Sequence, residues 1–292
     1  MSFSCGLCGG ESYKKLPYYY VLNGRRIQGV RCLSCGLTTV HPKPSNEEIA
    51  SLYDGTYFKS DYHCGHREGS YEEEAINPEQ IEALHRLKTL SPPGKLLEVG
   101  AAGGKFLLEA KAAGYEVKGV EISADACGQA RGLGLDVFCG ELKGAKLPDG
   151  AFQAAYMGDV LEHLHSPLSD IREVFRVLSK GGVLCISCPT NIGLLSSRIG
   201  LFVYRLLGRE RLSPIPPYHL YEFMPGQIRL LLEKAGFQVI RVEPGIIEPW
   251  KIILRGSIIE KAGKLLFHLP NYIITLLTGR MGDRVTIFAK KP

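Results

Sequence analysis

From Lys95 to its end the chain alternates short apolar runs with amphipathic stretches. Few folds are open to such a pattern. The runs are nearly continuous in Leu, Val, Ile and Ala, so both faces of each strand must be covered. The stretches between them are long enough to carry the chain back to the same sheet edge, which gives a parallel sheet clothed in helices. Strands are predicted near residues 95–99, 116–121, 136–139, 153–158, 182–188, 238–243 and 285–290, with helices between most of them. One helix, over 105–113, ends at Gly114, a residue type suited to the left-handed turn after a C-cap. The expectation is an α/β fold, a Rossmann-like seven-stranded doubly wound sheet. Because the last strand follows a long insertion, periodicity leaves its pairing open.

Two insertions interrupt that pattern, near 191–217 and 244–284. In the first, Ile192, Leu195, Ile199, Phe202, Val203 and Leu206 fall on one helical face, with Arg198 and Arg205 elsewhere. The plain expectation is a lid helix packed on the core by that face; the sharper one is a lid that also touches a membrane or a lipid-like substrate. Ahead of the alternating region, residues 45–94 read as a helical linker or lid. It opens at Ser45, an N-cap, and closes at the break Ser91-Pro92-Pro93-Gly94. Residues 1–44 are rich in Gly, Cys and Tyr, with a turn at Asn23-Gly24, and form a third region. The expected domain plan is therefore 1–44, 45–94 and 95–292.

Residues 96–104 read LLEVGAAGG, a strand, a glycine-rich turn and the start of a helix. Such a turn lets a ligand approach the backbone, and the helix N-terminus offers amides to an anion. A dinucleotide fingerprint would need glycines where Gly100, Ala102 and Lys105 stand, so the fit to a nicotinamide site is poor. The segment instead resembles the first motif of class I S-adenosylmethionine-dependent methyltransferases, an acid, one residue, then Gly-x-Gly-x-Gly, with Ala102 in place of the middle glycine. Glu121, at the tip of the second strand, is placed to accept hydrogen bonds from two ribose hydroxyls. Three more segments follow the family's order: Cys139-Gly140-Glu141-Leu142, Asp159-Val160 leading to Glu162-His163, and Leu178 to Gly182.

That resemblance implies roles. Glu98 and the turn Gly100, Ala101 and Gly103 would hold the methionine part of S-adenosylmethionine, Glu121 the ribose, and Glu141 with Leu142 the adenine, with Ile122 a further cofactor-binding residue. Asp159 and Val160 would line the floor beside the sulfonium. Methyl transfer to a hydroxyl also needs a base, and His219 is the first candidate, His163 the second. Asp159, Glu162 and His163 are similar to the acidic cluster of ubiquinone-biosynthesis O-methyltransferases, where a divalent ion is found; a magnesium ion here is the lesser expectation. Tyr57 and Tyr221 are candidates to close over the cofactor or stack on an acceptor, with plain packing the stronger reading.

Cys5-x-x-Cys8-Gly9 and Cys32-x-x-Cys35-Gly36 are two matched knuckles. Four thiolates at this spacing can close a tetrahedral zinc site, leaving no open position for water, so the expected zinc is structural. Cys185 and Cys188 read as core residues. With no apparent leader and no long apolar run, the expected setting is a reducing cytoplasm, with peripheral membrane contact through the lid as an added option. A zinc knuckle, a linker and a class I domain in this order resemble bacterial enzymes of glycan and natural-product biosynthesis, including sugar C-methyltransferases. The chain has Tyr218-His219 but lacks the second His of the sugar enzymes, which turns the expectation toward O-methylation of a small-molecule, glycan or lipid-linked acceptor, with C-methylation kept as an option. Net charge is +5 with no long basic run. Nucleic acid is therefore the lesser partner, and an RNA methyltransferase gripping its substrate through the zinc unit is the alternative. A non-catalytic module that keeps the cofactor fold is the third reading. Oligomeric state is left open.

Overall fold

The computed structural model describes residues 2–52, 77–213, 216–249, 258–279 and 282–292. Tyr57 and the linker loop near 56–70 lie outside the described residues. The strands are β1 (Tyr13–Leu22), β2 (Arg25–Cys32), β3 (Thr38–His41), β4 (Lys95–Val99), β5 (Glu116–Glu121), β6 (Val137–Cys139), β7 (Phe152–Gly158), β8 (Leu178–Pro189), β9 (Arg211–Leu212), β10 (Tyr221–Glu222), β11 (Gln238–Gly245) and β12 (Arg284–Lys290). The helices are α1 (Asn46–Ala50), α2 (Pro78–Leu90), α3 (Lys105–Ala112), α4 (Ala124–Gly132), α5 (Pro167–Val177), α6 (Leu195–Leu206), α7 (Pro225–Ala235) and α8 (Ile258–Thr278).

Seven strands form one sheet in the order β11-β12-β8-β7-β4-β5-β6. All seven expected strands are present, and the open question of the last one is answered: β12 lies between β8 and β11. The pairs β4–β5, β4–β7 and β5–β6 are parallel. Leu96, Leu97, Ala154, Ala155, Val183 and Leu184 are wholly buried, as strands covered on both faces require. From β4 the chain runs outward through β5 and β6, then returns to the other side of β4 as β7. That reversal is the switch point at which open α/β sheets carry their ligands, beyond the strand C-termini.

By internal packing the chain divides into two units. The first comprises 1–43, 187–230 and 241–287, and the second 44–186, 231–240 and 288–292. In the second unit, local chemistry fixes the helix ends. Ser45 and Glu48 form a capping box on α1, Asn77 and Gln80 another on α2, and Ser123 caps α4 through the amide of Ala126. α3 ends at Ala112 with Ala113 as its C-cap, and Gly114 takes the left-handed turn that follows.

The first unit holds a five-stranded sheet in the order β10-β3-β2-β1-β9. β1 and β2 are an antiparallel hairpin turning at Asn23 and Gly24, both left-handed. Two strands from far along the sequence complete it. β9 pairs with β1 through Tyr18 and Tyr19, and β10 pairs with β3 through Thr38 and Thr39. Tyr221 of β10 is 1% exposed, packs on Phe223, and its hydroxyl meets Lys43 Nζ at 2.6 Å, so it is a core residue of this sheet.

One expectation is corrected here. The sequence pattern places the apolar face of α6 against the core, but Ile199, Phe202, Val203 and Leu206 are exposed, while Leu195 is half-buried and Ile192 is buried. α6 packs on α8 and β1 with its other side, where Leu194, Leu201 and Tyr204 are half-buried. Apolar residues occupy both sides of this helix, so periodicity alone could not tell which side packs.

Candidate functional site

The second unit gathers the tips of β4, β5, β6 and β7 at the switch point. β4 delivers Glu98 and Val99 to Gly100, where the chain turns sharply: Gly100 (φ 77°), Ala102 (φ 45°) and Gly104 (φ 87°) are all left-handed. The amides of Gly100 and Ala101 both donate to the carbonyl of Val120 on β5, at 2.8 and 3.1 Å. A methyl group at Gly100 would overlap Val160 Cγ2, so glycine there is a condition for the β7 tip to close against the turn. α3 begins directly after Gly104, and its first amides face no helical acceptor, a setting that suits an anionic group.

Glu121 binds two loops together. Its Oε2 accepts the amide of Ala102 and its Oε1 that of Ser123, each at 2.8 Å, and the residue is 6% exposed. Burial raises its pKa, and the amides of Ser123 and Ala102 oppose that rise. The bond to Ala102 shows why alanine is tolerated at a left-handed position, where a side chain costs roughly 1–2 kcal/mol: the turn is held by a carboxylate on the next strand. Neither this bond nor that of Ser123 was legible in the motif spacing. Next to Glu121, the side chain of Ile122 is 46% exposed.

Glu98 is 4% exposed, and its Oε2 has no hydrogen-bond partner among the described residues. Burial pushes its pKa well above the usual carboxylate range, and the neighbouring Glu121 pushes it further. A buried acid lacking a donor and repelled by a second acid is unfavourable for the free chain. A cation against it would reverse that, so the donor set fits a ligand carrying positive charge beside a ribose-like diol.

The amide of Gly140 donates to the carbonyl of Glu121 at 2.7 Å, which ties the β6 loop to the β5 tip. Glu141 is exposed, and Leu142, 5% exposed, opens a short 3-10 turn. Asp159 is exposed and left-handed (φ 54°), a strained setting for a non-glycine residue at the β7 tip. Leu161–His163 is a further 3-10 turn with Glu162 buried, and His163 Nε2 lies 3.7 Å from Glu162 Oε1. Glu98, Gly100, Ala101, Gly103, Glu121, Ile122, Glu141, Leu142, Asp159, Val160 and His163 thus all belong to the switch-point end of the second unit. His219 belongs to the first unit, where its Nδ1 lies 3.7 Å from Glu222 Oε1.

The first unit carries a separate cluster. Ligand atoms of Cys5, Cys8, Cys32 and Cys35 all lie within 4.8 Å of one another, with Cys5–Cys35 and Cys8–Cys32 sulfur pairs at 3.6 Å. Tetrahedral zinc with bonds near 2.3 Å sets its sulfurs about 3.8 Å apart, so the set fits that ion. These thiols are free, not bridged. Gly9 and Gly36 share φ 74°, so the two knuckles turn alike. Burial pushes the Cys32 thiol up, but the amides of Cys35 and Ser34 and the neighbouring thiols outweigh it, giving about 7. Gln227 Nε2, missed in the sequence, donates to the carbonyl of Cys35 at 3.3 Å and ties α7 to the second knuckle.

Comparison with known proteins bears on the second unit first. The methyltransferase domain model matches residues 71–242, more than half of the chain. A protein of Mycolicibacterium smegmatis, described as a probable S-adenosylmethionine-dependent methyltransferase, is 32% identical over 105 residues. That is 36% of each chain, so about a third of that relative's length is spanned. A ubiquinone biosynthesis O-methyltransferase of Xanthomonas axonopodis pv. citri is 27% identical over 189 residues, covering 61% of this chain and 76% of that one. Among solved structures, phosphoethanolamine N-methyltransferase 2 of Haemonchus contortus in complex with S-adenosyl-L-methionine superposes with a TM-score of 0.55 at 18% identity, over 87% of this chain and 62% of that one. A SAM-dependent methyltransferase of Archaeoglobus fulgidus gives 0.51 at 20% identity, over 73% and 94%. At such identity these two structures speak for the fold.

Proposed function

This chain belongs to the methyltransferase domain family, as a class I S-adenosylmethionine-dependent methyltransferase, and from that premise we propose that it methylates a hydroxyl oxygen of a small-molecule, glycan or lipid-linked acceptor. The observation that carries the cofactor part of this reading is the acid pair at the switch point. Glu98 is buried with its Oε2 lacking a donor among the described residues, and Glu121 is held by two amides at the adjoining strand tip. S-adenosylmethionine supplies an activated methyl group on sulfur. Glu98 would face its cationic methionine end and the Gly100 turn its carboxylate. Glu121 would take the ribose hydroxyls, Glu141 and Leu142 the adenine, Ile122 would be a further cofactor contact, and Asp159 and Val160 would line the side where the acceptor enters. Bound there, the cofactor would supply that methyl group to the acceptor oxygen and leave as the neutral thioether, and the hydroxyl proton would pass to a base. His163 and His219 are the proposed candidates for that base. Relatives named as O-methyltransferases support oxygen as the acceptor atom.

Purified protein incubated with methyl-labelled S-adenosylmethionine and size-fractionated cell extract should label the small-molecule or lipid fraction. Label confined to RNA would replace this reading with the RNA alternative, which draws on the zinc knuckles. With the labelled acceptor in hand, alanine at the true base should lower kcat by roughly 100-fold or more and leave cofactor affinity within about twofold. Equal kcat in the His163→Ala and His219→Ala variants and the parent chain would remove both candidates.

Glu98 has a consequence for pH. Its raised pKa means that the stability it contributes is fully present below the unfolded carboxyl value and is lost as pH rises through the folded value. Binding of a cation favours the carboxylate, so cofactor binding should release a proton, and affinity should rise with pH until Glu98 is ionised in the free chain. Calorimetry in two buffers of different ionisation enthalpy reads that proton. In Glu98→Gln the proton release should vanish and affinity should fall by roughly 10- to 100-fold, with no loss of melting temperature. Unchanged proton release in the variant would move the coupling to another group.

The four cysteines are proposed as a structural zinc site. With four thiolates the shell is closed to water, so its contribution is to the fold of the first unit and not to the transfer step.

A further inference from the structure

We propose that the solvent-facing sides of α6 and α8 in the first unit form a docking surface for an anionic lipid bilayer. The two helices are neighbours, and each turns its more apolar side outward. On α6, Ile199, Phe202, Val203, Leu206 and Leu207 follow the i, i+3, i+4 spacing of one face, with Phe202 65% and Leu206 74% exposed. On α8, Leu266, Leu269, Ile273, Leu276 and Leu277 do the same, with Leu266 at 69% and Leu277 at 80%.

The opposite face of α8 is the informative one. There Asn271 (1% exposed) and Thr275 (4%) point inward. Asn271 Oδ1 accepts the amide of Leu195 at 2.8 Å, and Thr275 Oγ1 donates to the carbonyl of Asn271 at 2.8 Å. A helix that satisfies its polar side chains inside and presents leucines outside is reversed relative to one designed for water. Single exposed leucines are ordinary on a soluble protein, but an ordered stripe on each of two neighbouring helices marks an interaction surface.

Charge selects the occupant. Residues 195–211 carry Arg198, Arg205, Arg209 and Arg211, all exposed, and one acid, Glu210, which is taken by an ion pair with Arg26. Arg198 and Arg205 are seven residues apart and share one border of the α6 stripe, where long side chains can lay their stems on apolar surface and their charge among headgroups. A second copy of the chain would bring the same arginines toward one another, whereas anionic headgroups would neutralise them. No helix among the described residues is long and apolar enough to cross a membrane, and α8 carries Pro270, Asn271 and Thr275 along its length. The geometry is therefore that of helices lying in the interface plane.

The test is co-sedimentation of the full chain with vesicles of phosphatidylcholine alone and of phosphatidylcholine mixed with phosphatidylglycerol. Binding should favour the mixed vesicles by roughly tenfold or more and weaken with added salt. Phe202→Ser with Leu206→Ser, and separately Leu276→Ser with Leu277→Ser, should each reduce binding about tenfold or more. Arg198→Gln with Arg205→Gln should reduce it by a similar factor on mixed vesicles only. All six positions are exposed or at a helix border, so cofactor affinity and melting temperature should be retained and serve as the folding control. Absence of binding to either vesicle overturns the proposal, as does equal binding to both. Loss confined to one helix overturns the joint surface. Dimers in light scattering that the serine variants dissolve, without vesicle binding, would assign the surface to a second copy instead.

Discussion

Alanine in place of Glu121 should weaken S-adenosylmethionine binding by roughly 100- to 1000-fold, while the melting temperature of the free protein moves by only a few degrees. The binding loss would follow from the two proposed hydrogen bonds between the Glu121 carboxylate and the ribose hydroxyls, each contributing about 1.5–3 kcal/mol, with part regained by water in the variant. The small change in stability follows from two opposing effects. Removing the carboxylate leaves the amides of Ala102 and Ser123 without an acceptor, which costs about 1–3 kcal/mol where they stay buried. It also removes a buried charge whose pKa is raised by burial, and relieves the repulsion it exerts on Glu98. Glu121→Gln, which keeps one acceptor oxygen, should fall between the two. Calorimetric titration with a parallel thermal melt measures both quantities. A loss of affinity below about threefold would mean that the ribose is held elsewhere.

Serine in place of Cys32 should unfold the knuckle sheet rather than alter catalysis directly. Cys32 ends β2, the strand that pairs with both β1 and β3, and it shares the cluster with Cys5, Cys8 and Cys35. Structural zinc contributes on the order of 10 kcal/mol in small zinc modules, and losing one of four thiolates forfeits much of it. Metal analysis should find about one zinc per chain. The variant should lose most of that zinc and melt at least about 10 °C lower. A chelator acting on the parent chain should expose four thiols to a thiol reagent together. Stable protein free of zinc, with four reactive thiols from the outset, would contradict a structural site.

The sequence disclosed those features whose cause is local. The seven strands are legible because a buried parallel strand needs an unbroken apolar run, and the switch-point turn because Gly100 and Gly104 sit where L side chains are disfavoured. The matched knuckles are legible because thiolate spacing and the following glycines are both written in order. What was not legible depends on distant partners. β9 and β10 are two residues each, too short to show a period, and join the N-terminal sheet through Tyr18, Tyr19, Thr38 and Thr39. The left-handed Ala102 is explained only by a carboxylate on β5. The face on which α6 packs follows from α8 and β1, not from α6 itself. Tyr221 could be read as a lid residue until its pairing with β3 placed it in a core.

Glu98 and Glu121 are proposed as the two acids that hold S-adenosylmethionine, and a crystal structure of the protein grown with that cofactor tests this most directly. The expected result is one nucleoside at the β4–β5 tips, with both ribose hydroxyls on the Glu121 carboxylate and the methionine amino group nearest to Glu98. Cofactor bound away from these acids, or native side chains filling that crevice in the complex, would contradict it.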